Sequence, residues 1–278
     1  MMTTKILLNG CNGRMGRMFT RVASKYPDIE IAAGTDVAPP GAAAYEAPPA
    51  YPTFICASQD DIGADTSNAI SAVVPDEIVF DAIVDFSHYS ALGAVLDLAL
   101  KRKSPVLLCT TGYSEAQSAE IDAAAAKIPV FQSANMSVGV SVLSELIKKA
   151  ASVLSEGYDV EIVEAHHNQK IDAPSGTALM LADAVNEGAG GGREYVYERH
   201  SVRAKRGKGE IGIHSIRGGT IVGEHSVIFA GPDEVLEIKH SAASREIFAE
   251  GAVRAVRFLT SGGRAAGRYS MKDLVRGT

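Results

Sequence analysis

"KILLNGCNGRMG", Lys5 to Gly16, is the stretch that decides the fold. A short apolar run, Ile6 to Leu8, ends at Asn9-Gly10 and reads as a buried strand. Gly10, Gly13 and Gly16 follow at every third position, and Met15, Met18, Phe19 and Val22 then recur at helical spacing. Strand, glycine turn and helix open a βαβ unit. Glycine permits the tight turn and lets the backbone approach a ligand. The helix start adds free N–H groups and a positive dipole end, which suit a phosphate. The spacing is GxxGxxG rather than GxGxxG, so these glycines alone do not separate a phosphate cradle from an ordinary turn.

"IEIAAGTD" reads as the second strand and puts Asp36 at its end. An acid there accepts hydrogen bonds from the ribose hydroxyls of an adenine dinucleotide. The alternative is that Asp36 caps a loop. Strand, glycine loop, helix, strand and acid together indicate a dinucleotide site. Asp36 repels a 2′-phosphate and Val37 cannot pair with one, which favours NADH. Arg14 keeps NADPH open.

The strand-like segments "AIVDFS" and "PVLLCTTG" alternate with helix-like "SALGAVLDLALKRK" and "EAQSAEIDAAAAK". That alternation implies right-handed crossovers and a doubly wound parallel sheet. "CTTGY", Cys109 to Tyr113, ends one of these strands, where such sheets hold ligands. Thr110, Thr111 and Gly112 are therefore either cofactor contacts or a plain turn. "VAPPGAAAYEAPPAYPTF" reads as an irregular loop, because its prolines forbid a regular helix.

After about Ser137 the pattern changes. "VGVSVLSELIKKAASVL" is an amphipathic helix. "YDVEIVEAHH", "GEIGIHSIRG", "TIVGEHSVIFAG" and "EVLEIKHSA" are strand-like and joined mostly by glycine-rich turns, which indicates a mixed or antiparallel sheet. "EGAGGGREYVYERHSVRAKRGKG" reads as a long flexible loop, with Arg199, Arg203, Lys205, Arg206 and Lys208 solvated. "SREIFAEGAVRAVRFL" is helical again and suits a return to the first domain. The fold class expected is α/β: a Rossmann-like doubly wound parallel sheet domain plus a C-terminal α+β domain with a mixed sheet.

"EAHHNQKIDAPSGTA", Glu164 to Ala178, holds the densest chemistry. Zinc sites on helices place histidines four apart, and His166 and His167 are adjacent. Neighbours on a strand face opposite ways and chelate one ion poorly, so no metal is expected. Histidine is the usual proton donor near neutrality. Lys170 adds a cation, either as a second donor or as an anion holder. Ser175, Gly176 and Thr177 open a helix, where Ser and Thr cap free N–H groups or leave them for a carboxylate. A donor, a cation and an anion cradle thus meet within one loop. The alternative is a solvated loop with ordinary caps. Arg217, His225 and His240 are either site residues or polar groups satisfied within the sheet.

A net charge of −6 and the absence of tryptophan argue against a nucleic-acid binder, which needs a basic face and stacking platforms. Cys11, Cys56 and Cys109 form no CxxC pair and fit a reducing compartment. The opening is too polar for a signal peptide, and no apolar run is long enough to span a membrane. A cytoplasmic protein is expected.

"GCNGRMG", "VDFS", "CTTGY", "SANMSVGV", "EAHHNQKIDAPSGTA", "IVGEHSVIFAG" and "SAASREIFAEGAVRAV" occur in this order over nearly the whole chain. Together they resemble the 4-hydroxy-tetrahydrodipicolinate reductase (dihydrodipicolinate reductase) family; the "HHxxKxDAPSGTA" pattern is the specific part. The resemblance implies a homotetramer in which NADH or NADPH reduces a small cyclic dicarboxylate on the path to diaminopimelate and lysine. Hydride reaches a ring carbon and a proton reaches its neighbour. It implies His166 as proton donor/acceptor and Lys170 as second acid. It implies substrate contacts at His167, Ser175, Gly176 and Thr177. Cofactor contacts follow at Gly10, Cys11, Asn12, Gly13, Arg14, Met15, Asp36, Cys109, Thr110, Thr111, Ser133, Ala134, Asn135 and Met136. The expected domains are 1–134 with 247–278 for the dinucleotide and 135–246 for substrate and oligomerisation. Cys109 departs from the family's frequent glycine, and Val37 from the arginine of NADPH users. A related dehydrogenase of another small acid, or a catalytically silent dinucleotide-binding module, are the alternatives.

Overall fold

The three consecutive apolar side chains of Ile6, Leu7 and Leu8 are wholly buried, because β1 (Thr4–Asn9) lies inside a sheet covered on both faces. The structure, a computed structural model, describes residues 3–37, 49–56, 70–154 and 156–277. Parallel strands flank β1 on either side: β2 (Ile29–Asp36) and β4 (Ala82–Asp85). Outward from β2 comes β3 (Thr53–Ile55). Outward from β4 come β5 (Val106–Leu108), β6 (Pro129–Gln132) and β12 (Gly267–Tyr269). All seven strands run parallel, in the order β3-β2-β1-β4-β5-β6-β12. The order reverses between β1 and β4, so connections leave in opposite directions there and a crevice opens at the strands' carboxyl ends.

Helices α1 (Arg14–Ala23), α2 (Ile70–Val73), α3 (Leu92–Arg102) and α4 (Glu115–Ala125) belong to this unit. So do α7 (Glu246–Thr260) and α8 (Met271–Arg276). Leu7, Ile83, Leu98, Val106, Leu108, Ile121 and Val130 form a core beneath α3 and α4. Helix α4 starts on a reciprocal cap between Ser114 and Gln117, which satisfies two otherwise orphaned N–H groups. Helix α7 packs against α1, and its Ala249, Ala252, Val253, Val256 and Leu259 are buried. Contacts divide the chain into Met1–Met136 with Glu246–Thr278, and Ser137–Arg245.

The second unit has five strands, ordered β11-β10-β7-β9-β8. These are β7 (Asp159–His166), β8 (Glu194–Val196), β9 (Glu210–Arg217), β10 (Glu224–Ala230) and β11 (Val235–Ser241). β9 is parallel to β7 and β8, while β10 is antiparallel to β7 and β11, so the sheet is mixed. Helices α5 (Val138–Leu154) and α6 (Gly176–Gly188) close over a core that includes Ile147, Ile162, Leu181, Ile213, Val227 and Phe229. Burial alternates along β7 and β10, as a sheet with one covered face requires.

Two expectations need correction. The segment before β9 is not simply a loop: Glu194–Val196 pairs with β9, and Tyr195 packs on the core. Arg206 there is held by Asp159 at 2.8 Å and Glu161 at 2.8 Å, and Arg199 by Glu210 at 2.7 Å. Asp159 and Glu161 lie on β7, far back in sequence, and Glu210 opens β9, so composition shows only a basic run. In the Ala/Pro stretch, Thr53–Ile55 forms the edge strand β3; residues 38–48 lie outside the described residues. Among the described residues no helix is long and apolar enough to cross a membrane.

Candidate active site

In the first unit the glycine loop is built by close approach. Gly10 has φ +75°, and a Cβ there would lie 2.7 Å from the backbone of Phe86. A Cβ at Gly16 would lie 2.1 Å from the Gly10 carbonyl oxygen, so helix and loop touch backbone to backbone. Gly13 is the N-cap of α1 and offers no side-chain cap. The start of α1 is therefore not closed by a side-chain cap, a geometry compatible with an anion. Cys11, Asn12, Arg14 and Met15 sit in this loop and first turn. Asp36, at the end of β2, accepts a hydrogen bond from the Asn12 backbone N–H at 2.8 Å and so stands beside the loop.

At the switch point a cleft of about 270 Å³ is lined by Met15, Phe86, Ser87, His88, Cys109, Thr110 and Thr111. Beneath it runs a buried polar chain that sequence reasoning missed. Thr35 donates to Asn9 Oδ1 at 2.8 Å, and Asn9 Nδ2 donates to Asp85 Oδ1 at 2.7 Å. Ser87 Oγ donates to the same oxygen at 2.5 Å, and Thr110 Oγ1 to Asp85 Oδ2 at 2.9 Å. Asp85 thus ties together the ends of four adjacent strands or the turns after them. Burial pushes its carboxyl above the usual range, against the hydrogen bonds from Ser87, Asn9 and Thr110. Burial, with Asp85 nearby, also pushes the Cys109 thiol well up. Ser133 to Met136 follow β6 and do not line this cleft; Ser133 Oγ donates to the Asn135 carbonyl at 2.9 Å.

The second unit gathers the histidine-lysine stretch around Glu164. Val160, Ile162, Glu164 and His166 share one face of β7, flanked by His225 on β10 and Arg217 on β9. Glu164 is completely buried. Its two oxygens accept from Arg217 Nη2 at 2.7 Å and Nη1 at 2.8 Å, a fork-to-fork pair. They also accept from the Ser175 backbone N–H at 3.1 Å and bond His166 Nδ1 at 2.6 Å. Burial opposes the charge of Glu164, but the bonds from Arg217, His166, Ser215 and Ser175 outweigh it and bring its pKa down to about 2.

Ser175 caps α6 by accepting from the Ala178 N–H at 3.1 Å, and its hydroxyl also bonds His225 Nε2 at 3.0 Å. The hydroxyl is thus engaged within the protein. Burial, then the charge of His166, lowers the pKa of His225 to about 4. Gly176 and Thr177 form the first turn of α6, and a Cβ at Gly176 would meet nothing within 4 Å. His167 follows the end of β7, and its Nε2 accepts from Arg245 at 3.1 Å. Lys170 Nζ pairs with Asp172 at 2.7 Å. Among the described residues no group of His, Cys, Asp and Glu is set to hold a metal.

The sequence does not single out Glu164 or Arg245, and it leaves Arg217 open between a site residue and a polar group satisfied within the sheet. For Glu164 a signal exists: it continues the buried register of Val160 and Ile162, where only a paired charge is tolerated. Arg217 and Arg245 carry no such local mark.

A doubly wound parallel sheet with a glycine loop and an acid closing its second strand, together with a buried Glu-His-Arg cluster on a mixed sheet, defines a dinucleotide-dependent oxidoreductase. Two profiles narrow the class: the dihydrodipicolinate reductase N-terminus matches residues 4–136 and its C-terminus residues 139–275. The chain is 45% identical over 275 residues to the 4-hydroxy-tetrahydrodipicolinate reductase of Caldanaerobacter subterraneus subsp. tengcongensis, covering 99% of both chains. It is 42% identical over 271 residues to that of Clostridium botulinum, covering 98% of each. A dipicolinate-bound dihydrodipicolinate reductase from Paenisporosarcina sp. TG-14 shares the fold, with TM-score 0.75 and 21% identity over 97% of this chain and 98% of that one. The chain belongs to the dihydrodipicolinate reductase family and is an NAD(P)H-dependent oxidoreductase.

Proposed function

We propose that the chain reduces 4-hydroxy-tetrahydrodipicolinate to tetrahydrodipicolinate, with His166 delivering the proton and Lys170 acting as second acid or substrate cation. The observation that carries these roles is the 2.6 Å bond between Glu164 and His166 Nδ1. It holds the imidazole by one nitrogen and leaves Nε2 for exchange. Lys170 follows on the same loop, and the start of α6 at Gly176 and Thr177 suits a substrate carboxylate. Ser175 supports that cradle by capping it, and His167 borders it. The bound nicotinamide supplies the hydride.

Residues 1–134 with 247–278 are proposed to hold the dinucleotide, and 135–246 the substrate. Gly10 to Met15 receive the pyrophosphate. Asp36 receives the ribose, and Cys109 to Thr111 with Ser133 to Met136 flank the nicotinamide. The acid at Asp36 and the exposed, uncharged Val37 support NADH over NADPH. A homotetramer is supported by the resemblance alone. Three free thiols support the cytoplasm.

The test mixes purified protein with enzymatically generated substrate and NADH and follows the nicotinamide absorbance. Turnover is expected, and His166→Ala should lower kcat by about 10²–10⁴, the usual worth of a positioned acid. A flat signal while NADH binds would rule out this activity and favour a silent module. Full turnover in the variant would remove His166 from the mechanism.

A further inference from the structure

Glu164 can only accept hydrogen bonds, so His166 Nδ1 must donate at 2.6 Å. Nδ1 therefore keeps its proton whether the ring is charged or neutral, and Nε2 is the nitrogen that exchanges. Gly223 packs close to that atom, and its lack of a side chain keeps it from being crowded: a Cβ at Gly223 would lie 3.1 Å from Nε2. A lone buried carboxylate at Nδ1 would bind the imidazolium too firmly to release a proton. Here both oxygens of Glu164 are also engaged by the Arg217 fork, at 2.7 Å and 2.8 Å. The pair orients the ring while cancelling most of the charge behind it.

Among the described residues the other charged or titratable groups around the ring are few. On β10, His225 meets His166 edge-on at 5.2 Å between ring centres. In the loop after β7, His167 lies beside Arg245, and Lys170 is paired with Asp172. The Asp172 carbonyl also accepts from Arg217 at 2.6 Å. At the start of α6, Ser175 donates its N–H to Glu164. Among these, Glu164 and Arg217 alone form a matched pair of opposite charges directly behind Nδ1.

We propose that Glu164 is a positioning residue that holds His166 in its Nδ1–H tautomer, and that Arg217 sets how tightly His166 keeps its exchangeable proton. This rests on the reading of His166 as proton donor. Removing each partner should then move the pH dependence in opposite directions, because one removes negative charge from behind the ring and the other exposes it.

The experiment compares pH profiles of kcat/KM for wild type, Glu164→Gln, Arg217→Met and the double variant, with ring ¹⁵N spectra of His166. Glu164→Gln should lower kcat by about 10–10²-fold, less than loss of the acid itself. It should also move the alkaline limb, where the donor loses its proton, to lower pH. Arg217→Met should move that limb to higher pH. The double variant, which leaves no unpaired buried charge, should lose kcat as Glu164→Gln does but keep its alkaline limb near that of wild type; with Arg217→Lys it provides the reading if Arg217→Met does not fold. Limbs that stay in place, or that move the same way in both single variants, would overturn the proposal. In wild type the neutral ring should carry its proton on Nδ1; a proton on Nε2 would also overturn it. The spectra need no turnover, so a wild type without reductase activity would refute the functional reading while still testing the tautomer.

Discussion

Lys170 Nζ lies 2.7 Å from Oδ1 of Asp172, two residues along the same loop. The cation that the sequence marks for an anionic substrate is already paired, so on the proposed reading a substrate carboxylate competes with Asp172 for it. Hydrogen bonding from Lys170 also holds the Asp172 carboxyl below its usual pKa, so the competitor is charged throughout the neutral range.

Asp172→Asn should therefore lower KM by a factor of about two to five, the worth of a partly exposed ion pair, with little change in kcat. Lys170→Ala should raise KM and lower kcat. Steady-state kinetics separates the two: a change in KM alone in Lys170→Ala would leave the lysine a binding role only.

Cofactor choice should respond to one exposed position. Val37 is 57% exposed and follows Asp36 directly, so a longer cation there has room. Val37→Arg should shift the ratio of kcat/KM for NADPH over NADH upward by about tenfold, the scale of one charge-assisted bond to a phosphate. Wild type should favour NADH. An unchanged ratio would place the control of preference elsewhere, with Arg14 the first position to substitute.

Gly16→Ala should separate helix α1 from its loop, since the added methyl would lie 2.1 Å from the Gly10 carbonyl oxygen. Overpacking of this kind costs about 1–3 kcal/mol. Thermal unfolding should fall accordingly, and NADH should bind more weakly. Native affinity in a destabilised variant would show that the loop does not hold the pyrophosphate.

The buried His225 should make stability depend on pH in mildly acidic solution. Its pKa is about 4 in the fold against 6.5 for the ordinary group, so as pH falls the unfolded chain takes up this proton first. Stability is lost from near pH 6.5 down to about 4 and no further from this residue, by up to about 3 kcal/mol. Denaturant titrations across that window should show the slope flattened in His225→Asn. An identical slope would remove His225 as its source.

The parallel sheet was legible because its signals are local. Ile6 to Leu8, the glycine turn and the helical spacing after it lie within one short stretch, and the alternation of strand and helix then repeats. The mixed sheet was legible for the same reason, through strand-like segments that follow one another across glycine-rich turns without intervening helices. Within the site, His166 and Lys170 announced themselves as residue types beside a helix start. Their partners did not. Arg217 reaches Glu164 through the parallel pairing of β7 with β9, and Thr110 reaches Asp85 through adjacent strands. Those pairings come from the fold, and no spacing rule brings such residues together. β8 was obscured by the glycines and basic residues around three strand-forming positions.

Because residues 137–245 form an uninterrupted insertion, the half of the chain made first is finished last. During synthesis the inserted sheet has all five strands once Ser241 has emerged. The dinucleotide half must still wait for the buried face of α7 and for edge strand β12. Until then α1 lacks the helix it packs against, and the end of the parallel sheet beside β6 stays unpaired. The order of assembly therefore runs against the order of translation.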